Sequence, residues 1–283
     1  MKSLTDTFKL NNGIEIPCIG YGTYLTEEGD EVINGVTNAI KAGYRHIDTA
    51  WFYLNEKGVG QAIRDSGVKR EDIFVTSKLW NSDRGYDSAL RAFEKTMDNL
   101  GFDYLDLFLI HWPANKKQFD NADQINADTW RAFEKIYESG RVKAIGLSNF
   151  LPHHIDTLMQ TANVKPMVNQ IEFHPGWAQI ENAEYCQKND IVVEAWSPLA
   201  RKDAINNETL IEIAAKYGKS TAQICIRWVL QHGVLPLPKS LNPGRIEENT
   251  KVFDFEISDE DMKIIDEIPD CGGQCAKPDE VDF

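Results

Sequence analysis

The sequence contains 283 residues, 42% of them hydrophobic, and its 30 Lys and Arg residues against 44 Asp and Glu residues give a net charge of -14. This acidity argues against nucleic acid and anionic membrane as partners, while the length suits one α/β barrel domain spanning residues 1–283. Five scattered cysteines, with no signal-like or membrane-length apolar segment, predict a cytoplasmic protein.

The first predicted element is a β-hairpin between Phe8 and Ile16, where an Asn-Gly turn at residues 12–13 separates two short apolar runs. We expect this hairpin to cover the floor of a barrel as a plug. Strand-like and helical segments then alternate, and the strand candidates are residues 18–22, 44–48, 73–78, 106–111, 142–148, 167–171, 191–197 and 234–239. Eight parallel strands are what a closed (β/α) barrel requires.

Helical patterns fill the intervals between these strands. Apolar residues recur at helical spacing over residues 86–100, and Ser220 and Ser258 each begin a capping sequence before a late helix. The predicted fold is therefore α/β, a (β/α)8 TIM barrel with an N-terminal β-hairpin plug and extra C-terminal helices. A doubly wound sheet is the alternative, but the glycine pairs in residues 20–22 and 58–60 lack the third glycine of its fingerprint.

Polar residues end several predicted strands on the same side. Asp48, Lys78 and His111 each follow an apolar run, and Tyr53 lies five residues beyond Asp48. Taken singly, each has a structural explanation, as a turn acid, a solvated lysine, a core imidazole or a surface aromatic. Because the carboxyl ends of barrel strands meet on one rim, and unpaired buried polar groups are costly, a shared polar pocket explains all four together.

These four side chains suit proton donation to a carbonyl oxygen. A tyrosine has an ordinary pKa of about 10, and we expect the ammonium of Lys78 to lower the pKa of Tyr53 by favouring the phenolate. Asp48 is the available counter-ion for a buried lysine, and His111 would orient the carbonyl oxygen or share in proton delivery. Because protonation alone reduces nothing, the site also requires a hydride source.

At these residues the chain resembles the aldo-keto reductase family, from the hairpin to residue 249. The motifs are Gly-Tyr-Gly-Thr at 20–23, Asp-Thr-Ala-Trp-Phe-Tyr-Leu-Asn-Glu at 48–56, Ser-Lys-Leu-Trp at 77–80, His-Trp-Pro at 111–113, Gly-Leu-Ser-Asn-Phe at 146–150 and Lys-Ser-Leu-Asn-Pro-Gly-Arg-Ile-Glu-Glu-Asn at 239–249. The resemblance implies a catalytic tetrad of Asp48, Tyr53, Lys78 and His111, with Tyr53 as general acid in reduction and general base in the reverse direction. In character the chain is most similar to small-substrate bacterial members, the 2,5-diketogluconate and methylglyoxal reductases.

The resemblance also implies NADP(H) as the cofactor, bound extended across the barrel mouth. Ser148, Asn149 and Gln170 match the positions that hold the nicotinamide carboxamide. Trp196 matches the aromatic residue that stacks on the nicotinamide ring. The complete set of implied cofactor-binding residues is Gly22, Thr23, Asp48, Ser148, Asn149, Gln170, Trp196, Ser197, Leu199, Lys239, Ser240, Asn242, Arg245, Glu248 and Asn249, of which Ser197 and Leu199 would follow the pyrophosphate.

Two cations flank the predicted phosphate end of the cofactor. Asn242 followed by Pro243 predicts a helix N-cap, whose free N–H groups and positive potential attract phosphate. Lys239 before this helix and Arg245 in its first turn suit a 2′-phosphate and favour NADPH over NADH. The alternative is that the two cations only complement nearby acids. No metal site is predicted, because the Cys pair at 271 and 275 has no second Cys/His pair.

Aromatic residues are predicted to wall the substrate pocket. The implied substrate-binding residues are Tyr24, Trp51, Trp80, His111 and Trp112. The sequence after Leu199 becomes helical by about Asp203, leaving little room for the long loop that some members fold over the pyrophosphate, and the tail over residues 270–283 is short. We therefore expect looser cofactor binding and an open site for small aldehydes, α-dicarbonyls such as methylglyoxal, or keto-sugar derivatives.

Two other functions use a similar barrel. Potassium-channel β subunits bind NADPH as regulatory modules, but they usually carry extra N-terminal sequence and form tetramers, whereas this chain begins at the hairpin and is expected to be a monomer. A barrel aldolase would use Lys78 as a Schiff base, which leaves residues 239–249 with no purpose beyond binding a phosphorylated substrate. The sequence favours NADPH-dependent reduction of small aldehydes and ketones to alcohols.

Overall fold

The computed structural model describes residues 1–200 and 203–283 and begins with an antiparallel hairpin, in which β1 (Thr7–Lys9) pairs with β2 (Glu15–Pro17). Amide groups in its turn bind the carbonyl oxygens of residues near the start of two barrel strands. Asn11 Nδ2 donates to Pro166 O at 2.8 Å, and Asn12 Nδ2 donates to Lys143 O at 2.9 Å. The hairpin therefore covers the barrel floor, and the predicted plug is confirmed.

Eight parallel strands follow in sheet order β3 to β10. They are β3 (Tyr21–Gly22), β4 (His46–Asp48), β5 (Phe74–Leu79), β6 (Leu105–Ile110), β7 (Val142–Ser148), β8 (Val168–Glu172), β9 (Val192–Trp196) and β10 (Leu235–Pro236). Each observed strand lies within two residues of a predicted one or inside it, and most strand residues are buried because helices cover the outer face. The eight predicted strands are confirmed.

Two backbone hydrogen bonds join the first and last strands of this sheet. The N–H groups of Gly20 and Gly22 donate to Pro236 O at 3.0 Å and to Pro238 O at 3.1 Å. Gly20 has to be glycine, because a Cβ there would lie 2.5 Å from Leu237 Cδ2 and 2.6 Å from His46 Nδ1. These contacts close the barrel, as the predicted (β/α)8 architecture requires.

Helices alternate with the strands. They are α1 (Asp30–Lys41), α2 (Glu56–Asp65), α3 (Tyr86–Leu100), α4 (Ala122–Glu138), α5 (Pro152–Met159), α6 (Ile180–Lys188), α7 (Glu208–Tyr217), α8 (Thr221–Gln231), α9 (Pro243–Glu248) and α10 (Asp259–Asp266). The side chains of Ser220, Asn242 and Ser258 each accept a hydrogen bond from the N–H group three residues later, which confirms the predicted N-caps. Within the described residues, no helix is long and apolar enough to span a membrane.

Candidate active site

The carboxyl ends of neighbouring strands bring the four predicted catalytic residues together. Asp48 is the last residue of β4, Lys78 lies one residue before the end of β5, and His111 follows β6. A 3-10 turn over Trp51–Tyr53 carries Tyr53 back over the strand ends. Parallel pairing of β4, β5 and β6 places these residues at one rim.

Lys78 is the centre of this cluster. Its Nζ atom lies 2.7 Å from Asp48 Oδ1 and 2.8 Å from Asp48 Oδ2, and it also donates to Thr49 O at 3.0 Å. The remaining neighbour is the Tyr53 hydroxyl, 3.3 Å away. The His111 ring lies edge-on to the Tyr53 ring, with 5.8 Å between the ring centroids. Lys78 is fully buried, so the ion pair with Asp48 compensates a charge that has no access to water.

Burial and charge act in opposite directions on the phenol. Burial raises the pKa of Tyr53 to about 12, although Lys78 acts to lower it. Lys78 thus acts in the predicted direction, but burial outweighs it and the pKa of Tyr53 is not lowered overall, because the sequence indicated the ammonium and not the burial of the phenol. Burial lowers the pKa of Lys78, but Asp48 and Tyr53 outweigh this effect and the net pKa is raised. Burial, helped by Lys78 and Arg84, holds the pKa of His111 well below its usual range. At neutral pH the site thus contains a protonated phenol, an ammonium and a neutral imidazole.

Beside the tetrad, Asn149 is held by a network of its own. Asn149 Nδ2 donates to His111 O at 2.9 Å and to Ser148 Oγ at 3.1 Å, and Asn149 Oδ1 accepts from Trp196 Nε1 at 2.8 Å. Ser148 Oγ donates in turn to Gln170 O at 2.9 Å. The positive φ of 63° at Asn149 belongs to the left-handed region, which asparagine tolerates better than most residues. This network connects the predicted carboxamide-binding residues to His111.

Gln170 links the tetrad to a second buried carboxyl group. Its Nε2 atom donates to Asp48 Oδ2 at 2.9 Å and to Glu194 Oε2 at 2.8 Å. Its Oε1 atom accepts no hydrogen bond from a described residue and is not fully enclosed. Glu194 was absent from the predicted site, although a lone acid in the apolar β9 strand was a signal that could have indicated it.

The predicted phosphate end lies at the junction of β3 and β10. Lys239 Nζ donates to Leu25 O at 3.0 Å, and the Asn242 side chain accepts from the N–H of Arg245 at 3.1 Å. Arg245 is exposed, and among the described residues neither cation forms an ion pair. Nearby, the Thr23 hydroxyl donates to Asp48 O at 2.9 Å, so this end is connected to the tetrad.

The other predicted cofactor residues surround the same rim. A Cβ atom at Gly22 would lie 3.2 Å from Leu237 O and 4.0 Å from Lys239 Cβ, so glycine allows β3 to approach the last strand closely. Ser197 has a left-handed φ of 54° directly after β9. Leu199 is half-buried, and the carbonyl oxygen of Ser240 accepts a hydrogen bond from the Tyr21 hydroxyl. Glu248 and Asn249 lie at the end of α9. The prediction that helical sequence begins by Asp203 agrees with a 3-10 turn at Ala204–Asn206, while residues 201 and 202 lie outside the described residues.

A cleft of ≈ 230 Å³ opens beside Asn149 and Trp196, and none of the four tetrad residues lines it. Its lining comprises Trp112, Asn149, Leu151, Glu172, Trp177, Gln179, Trp196 and residues 275–280 of the tail. The tail is held there by Asn115, whose Nδ2 donates to Pro278 O at 2.9 Å and to Val281 O at 3.0 Å. The short tail nevertheless reaches the barrel mouth and forms one wall of it.

The structure separates the predicted aromatic residues into two groups. Tyr24 lies beside the tetrad, with its ring centroid 5.0 Å from that of Tyr53, and Trp80 lies 5.1 Å from the His111 ring. Trp112 lines the cleft. Trp51 instead lines a second cavity, together with Glu28, Leu54, Glu56, Lys57 and Asn99. The structure therefore does not bring Trp51 together with the other predicted substrate-binding residues.

Two phenylalanines that were not predicted complete the aromatic wall. The Phe52 ring stacks on Trp80 with a centroid distance of 3.7 Å. Phe283 stacks on Trp80 from the tail at 5.8 Å and meets Trp112 edge-on at 5.5 Å. Phe52 could have been found as the neighbour of Trp51 in the same motif. Phe283 gave no comparable signal, because only the folded tail brings it to the mouth.

The residues at the rim fit an extended dinucleotide with a nicotinamide at the tetrad. Gln170 Oε1 is an acceptor without a partner among the described residues, as a carboxamide N–H requires. The half-exposed Trp196 offers an aromatic face beside it, held by its hydrogen bond to Asn149. At the opposite end, Lys239 and Arg245 supply positive charge that no described acid neutralises by an ion pair.

Comparisons with known proteins agree with this geometry. The model of the Aldo/keto reductase family matches residues 18–270. The chain is 50% identical over 281 residues to the glyoxal reductase of Bacillus subtilis (strain 168), and the alignment covers 99% of each protein. An aldo-keto reductase from a Medee basin deep-sea metagenome library has a similar structure, with a TM-score of 0.91, 46% identity and coverage of 98% of this chain and 100% of that one. A variant of Gox0644 in complex with NADPH gives a TM-score of 0.90 at 39% identity, with 99% of both chains covered.

Proposed function

The chain belongs to the aldo/keto reductase family and is an NADP-dependent oxidoreductase, and we propose that it reduces small aldehydes and α-dicarbonyls at the Tyr53 hydroxyl. The observation that carries this proposal is the position of Lys78, which contacts both the Asp48 carboxylate and the Tyr53 hydroxyl, with the rings of Tyr24 and Trp80 beside the tetrad. The glyoxal reductase of Bacillus subtilis, at 50% identity, supports the choice of α-dicarbonyls.

In the reduction direction, Tyr53 donates its proton to the carbonyl oxygen. The phenol is protonated at neutral pH, since an ordinary tyrosine already has a pKa of about 10 and burial raises the pKa of Tyr53 further. NADPH, when bound, supplies the hydride that the carbonyl carbon accepts. His111, held neutral by its low pKa, can donate a ring N–H to the same oxygen and orient it.

Lys78 stabilises the phenolate that remains on Tyr53. A unit positive charge 3.3 Å from a developing negative charge contributes on the order of 5 kcal/mol at an effective dielectric constant of about 20. Asp48 fixes the ammonium in place with two hydrogen bonds. Ser148, Asn149, Gln170 and Trp196 would hold the nicotinamide, and Lys239 and Arg245 would hold the 2′-phosphate.

The rival functions lack support of this kind. A Schiff-base aldolase needs a neutral amine, but the contacts of Lys78 with Asp48 and Tyr53 raise its pKa and keep it charged. No contact of the described residues favours a regulatory module over an enzyme. We further propose that one chain suffices as a monomeric, single-domain enzyme in the cytoplasm. In support, all the site residues come from one barrel, and burial raises the pKa of Cys18, Cys186 and Cys225, which suits unreactive thiols.

The test is an NADPH absorbance assay with matched substrates. Glyoxal and methylglyoxal should show a kcat/KM at least tenfold above that of propionaldehyde, and a bulky steroid ketone should react poorly between the aromatic side chains beside the tetrad. NADH in place of NADPH is the cofactor control. No oxidation of NADPH with any of these compounds would refute the proposal, as would covalent trapping of a substrate on Lys78 by borohydride.

A further inference from the structure

Glu194 is a carboxyl group in the barrel interior that lies outside the tetrad. It lies in the middle of β9 between apolar neighbours and is completely buried. Parallel pairing of β8 and β9 sets Glu194 directly beside Gln170. A buried acid is costly unless it is paired or neutral, so its position calls for an explanation.

The Gln170 amide is fixed by two acceptors. Both hydrogens of its Nε2 are used, one by Asp48 Oδ2 at 2.9 Å and one by Glu194 Oε2 at 2.8 Å. A glutamine amide can usually rotate by 180° and exchange its oxygen for its nitrogen. Here a rotated amide would point its oxygen at the Asp48 carboxylate and lose the hydrogen bond to it. Consequently Oε1 remains the atom that is free for a ligand.

The neighbouring side chains are less available to a ligand. Both N–H groups of Asn149 are taken by His111 O and Ser148 Oγ, and its Oδ1 already accepts from Trp196. The Ser148 hydroxyl has donated its hydrogen to Gln170 O. Of the three side chains assigned to the carboxamide, Gln170 thus carries the acceptor with no existing partner among the described residues.

We propose that Glu194 is a positioning residue for the cofactor: it holds the Gln170 amide so that Oε1 accepts a hydrogen bond from the carboxamide N–H of the nicotinamide. This inference rests on the proposed function, because it takes the nicotinamide to lie at the tetrad. Glu194 itself touches neither cofactor nor substrate.

The surroundings of Glu194 allow this role without disturbing Lys78. Burial, and the charge of Asp48 next, raise the pKa of Glu194 to about 8. At neutral pH the group is therefore largely uncharged, and it accepts from Gln170 without placing a second negative charge near the ion pair. His46 lies on its other side, with Nε2 at 3.7 Å from Glu194 Oε1, and burial lowers the pKa of that imidazole to about 3.

Asp48 alone would not produce the same constraint. One acceptor leaves the second amide hydrogen of Gln170 without a partner in the barrel interior, which is unfavourable. That hydrogen could then be satisfied at the mouth, by water or by the carbonyl oxygen of the carboxamide. The amide would present a donor as readily as an acceptor, and recognition of the carboxamide N–H would be lost.

The experiment compares the binding of two dinucleotides by calorimetry. The probes are NADP⁺ and 3-acetylpyridine adenine dinucleotide phosphate, which keeps the carbonyl oxygen but has a methyl group in place of the amide NH2. One hydrogen bond corresponds to a preference of roughly three- to tenfold for NADP⁺ in the unmodified protein. The variants are Glu194→Met, which removes the acceptor at similar size, and Glu194→Gln, which retains an acceptor oxygen.

A preference that falls below about twofold in Glu194→Met and is restored in Glu194→Gln supports the inference. In a Gln170→Leu background, Glu194→Met should cause no further change in this ratio. Glu56→Met is the matched control, since Glu56 is another buried carboxyl group that accepts from an amide, Asn99 Nδ2 at 2.9 Å, away from Gln170.

Three outcomes would overturn the inference. The first is an unchanged preference in Glu194→Met, and the second is an equal loss in Glu56→Met, which would indicate general damage. In the third, the unmodified protein binds both dinucleotides equally, which would mean that Gln170 accepts no hydrogen bond from the carboxamide N–H. Failure to bind NADP⁺ at all is distinguishable from these, because it would refute the proposed function itself.

Discussion

Replacing Tyr53 by phenylalanine removes one oxygen atom from the centre of the site. Among the described residues, the hydroxyl forms one hydrogen bond, a long one of 3.3 Å from Lys78 Nζ. Lys78 keeps its other three contacts, two to the Asp48 carboxylate and one to Thr49 O. The loss of stability should therefore not exceed about 1 kcal/mol, or a decrease of about 2 °C in Tm for a domain of this size.

The effect on the reaction should be far larger. Tyr53→Phe removes the proton donor, and a positioned general acid contributes roughly 10² to 10⁴ in rate. We therefore expect kcat/KM for methylglyoxal reduction to fall at least 100-fold, while the Kd for NADPH changes less than about threefold. The contrast between a small change in stability and a large change in rate is the signature of a group that acts in the chemical step.

The assay combines NADPH oxidation, calorimetric NADPH binding and thermal unfolding on the same preparation. Tyr185→Phe is the control, since that hydroxyl also has a short polar contact, 2.5 Å to Asp156 Oδ1, but lies on α6 outside the mouth. Activity within tenfold of the unmodified protein in Tyr53→Phe would refute the assignment of Tyr53 as proton donor. Loss of NADPH binding would instead show that the ring supports the cofactor.

Three further predictions concern charged groups. Lys78→Met leaves the Asp48 carboxylate buried without its counter-ion, so urea unfolding should show a loss of about 3 to 5 kcal/mol, and a loss below 1 kcal/mol would contradict a paired interior charge. Arg245→Ala should weaken binding of NADPH roughly tenfold and of NADH less than twofold, as measured by calorimetry; equal losses would exclude the 2′-phosphate contact. The pKa of Glu194 is raised from 4.5 to about 8 by folding, so its contribution to stability is complete below pH 4.5 and is lost as the pH rises towards 8. Between pH 5 and pH 8 the unmodified protein should lose on the order of 4 kcal/mol relative to Glu194→Gln in urea unfolding, and parallel pH curves for the two proteins would contradict the raised pKa.

The meeting of the four tetrad residues could be predicted because it depends on chain order and strand direction. Polar residues at the ends of successive apolar strands must converge when the strands are parallel, and this holds for Asp48, Lys78 and His111. The N-caps at Ser220 and Ser258 were equally predictable, because capping depends on residues three positions apart.

The details that could not be predicted depend on the direction in which side chains of a turn point and on how deeply a side chain is buried. Residues Trp51–Tyr53 form a 3-10 turn, in which successive side chains point about 120° apart. A turn of this kind can direct Tyr53 to the tetrad and Phe52 to Trp80 while Trp51 lines a different cavity. The net pKa of Tyr53 depends on how much water reaches the phenol, which residue order alone does not determine.

The closure of the barrel has a consequence for the way a ligand would affect the whole molecule. The N–H groups of Gly20 and Gly22 donate to Pro236 O and Pro238 O. Proline has no N–H group, so neither Pro236 nor Pro238 can donate a hydrogen bond back to the first strand. The closing edge of the barrel is therefore held by few backbone hydrogen bonds, all donated from the same side. Thr23 follows the first of these two strands in the chain, and Lys239 follows the last. A dinucleotide that contacts both residues would link the first and last strands of the barrel. NADPH should therefore protect the amides of these two strands from hydrogen exchange more than those of β6 or β7.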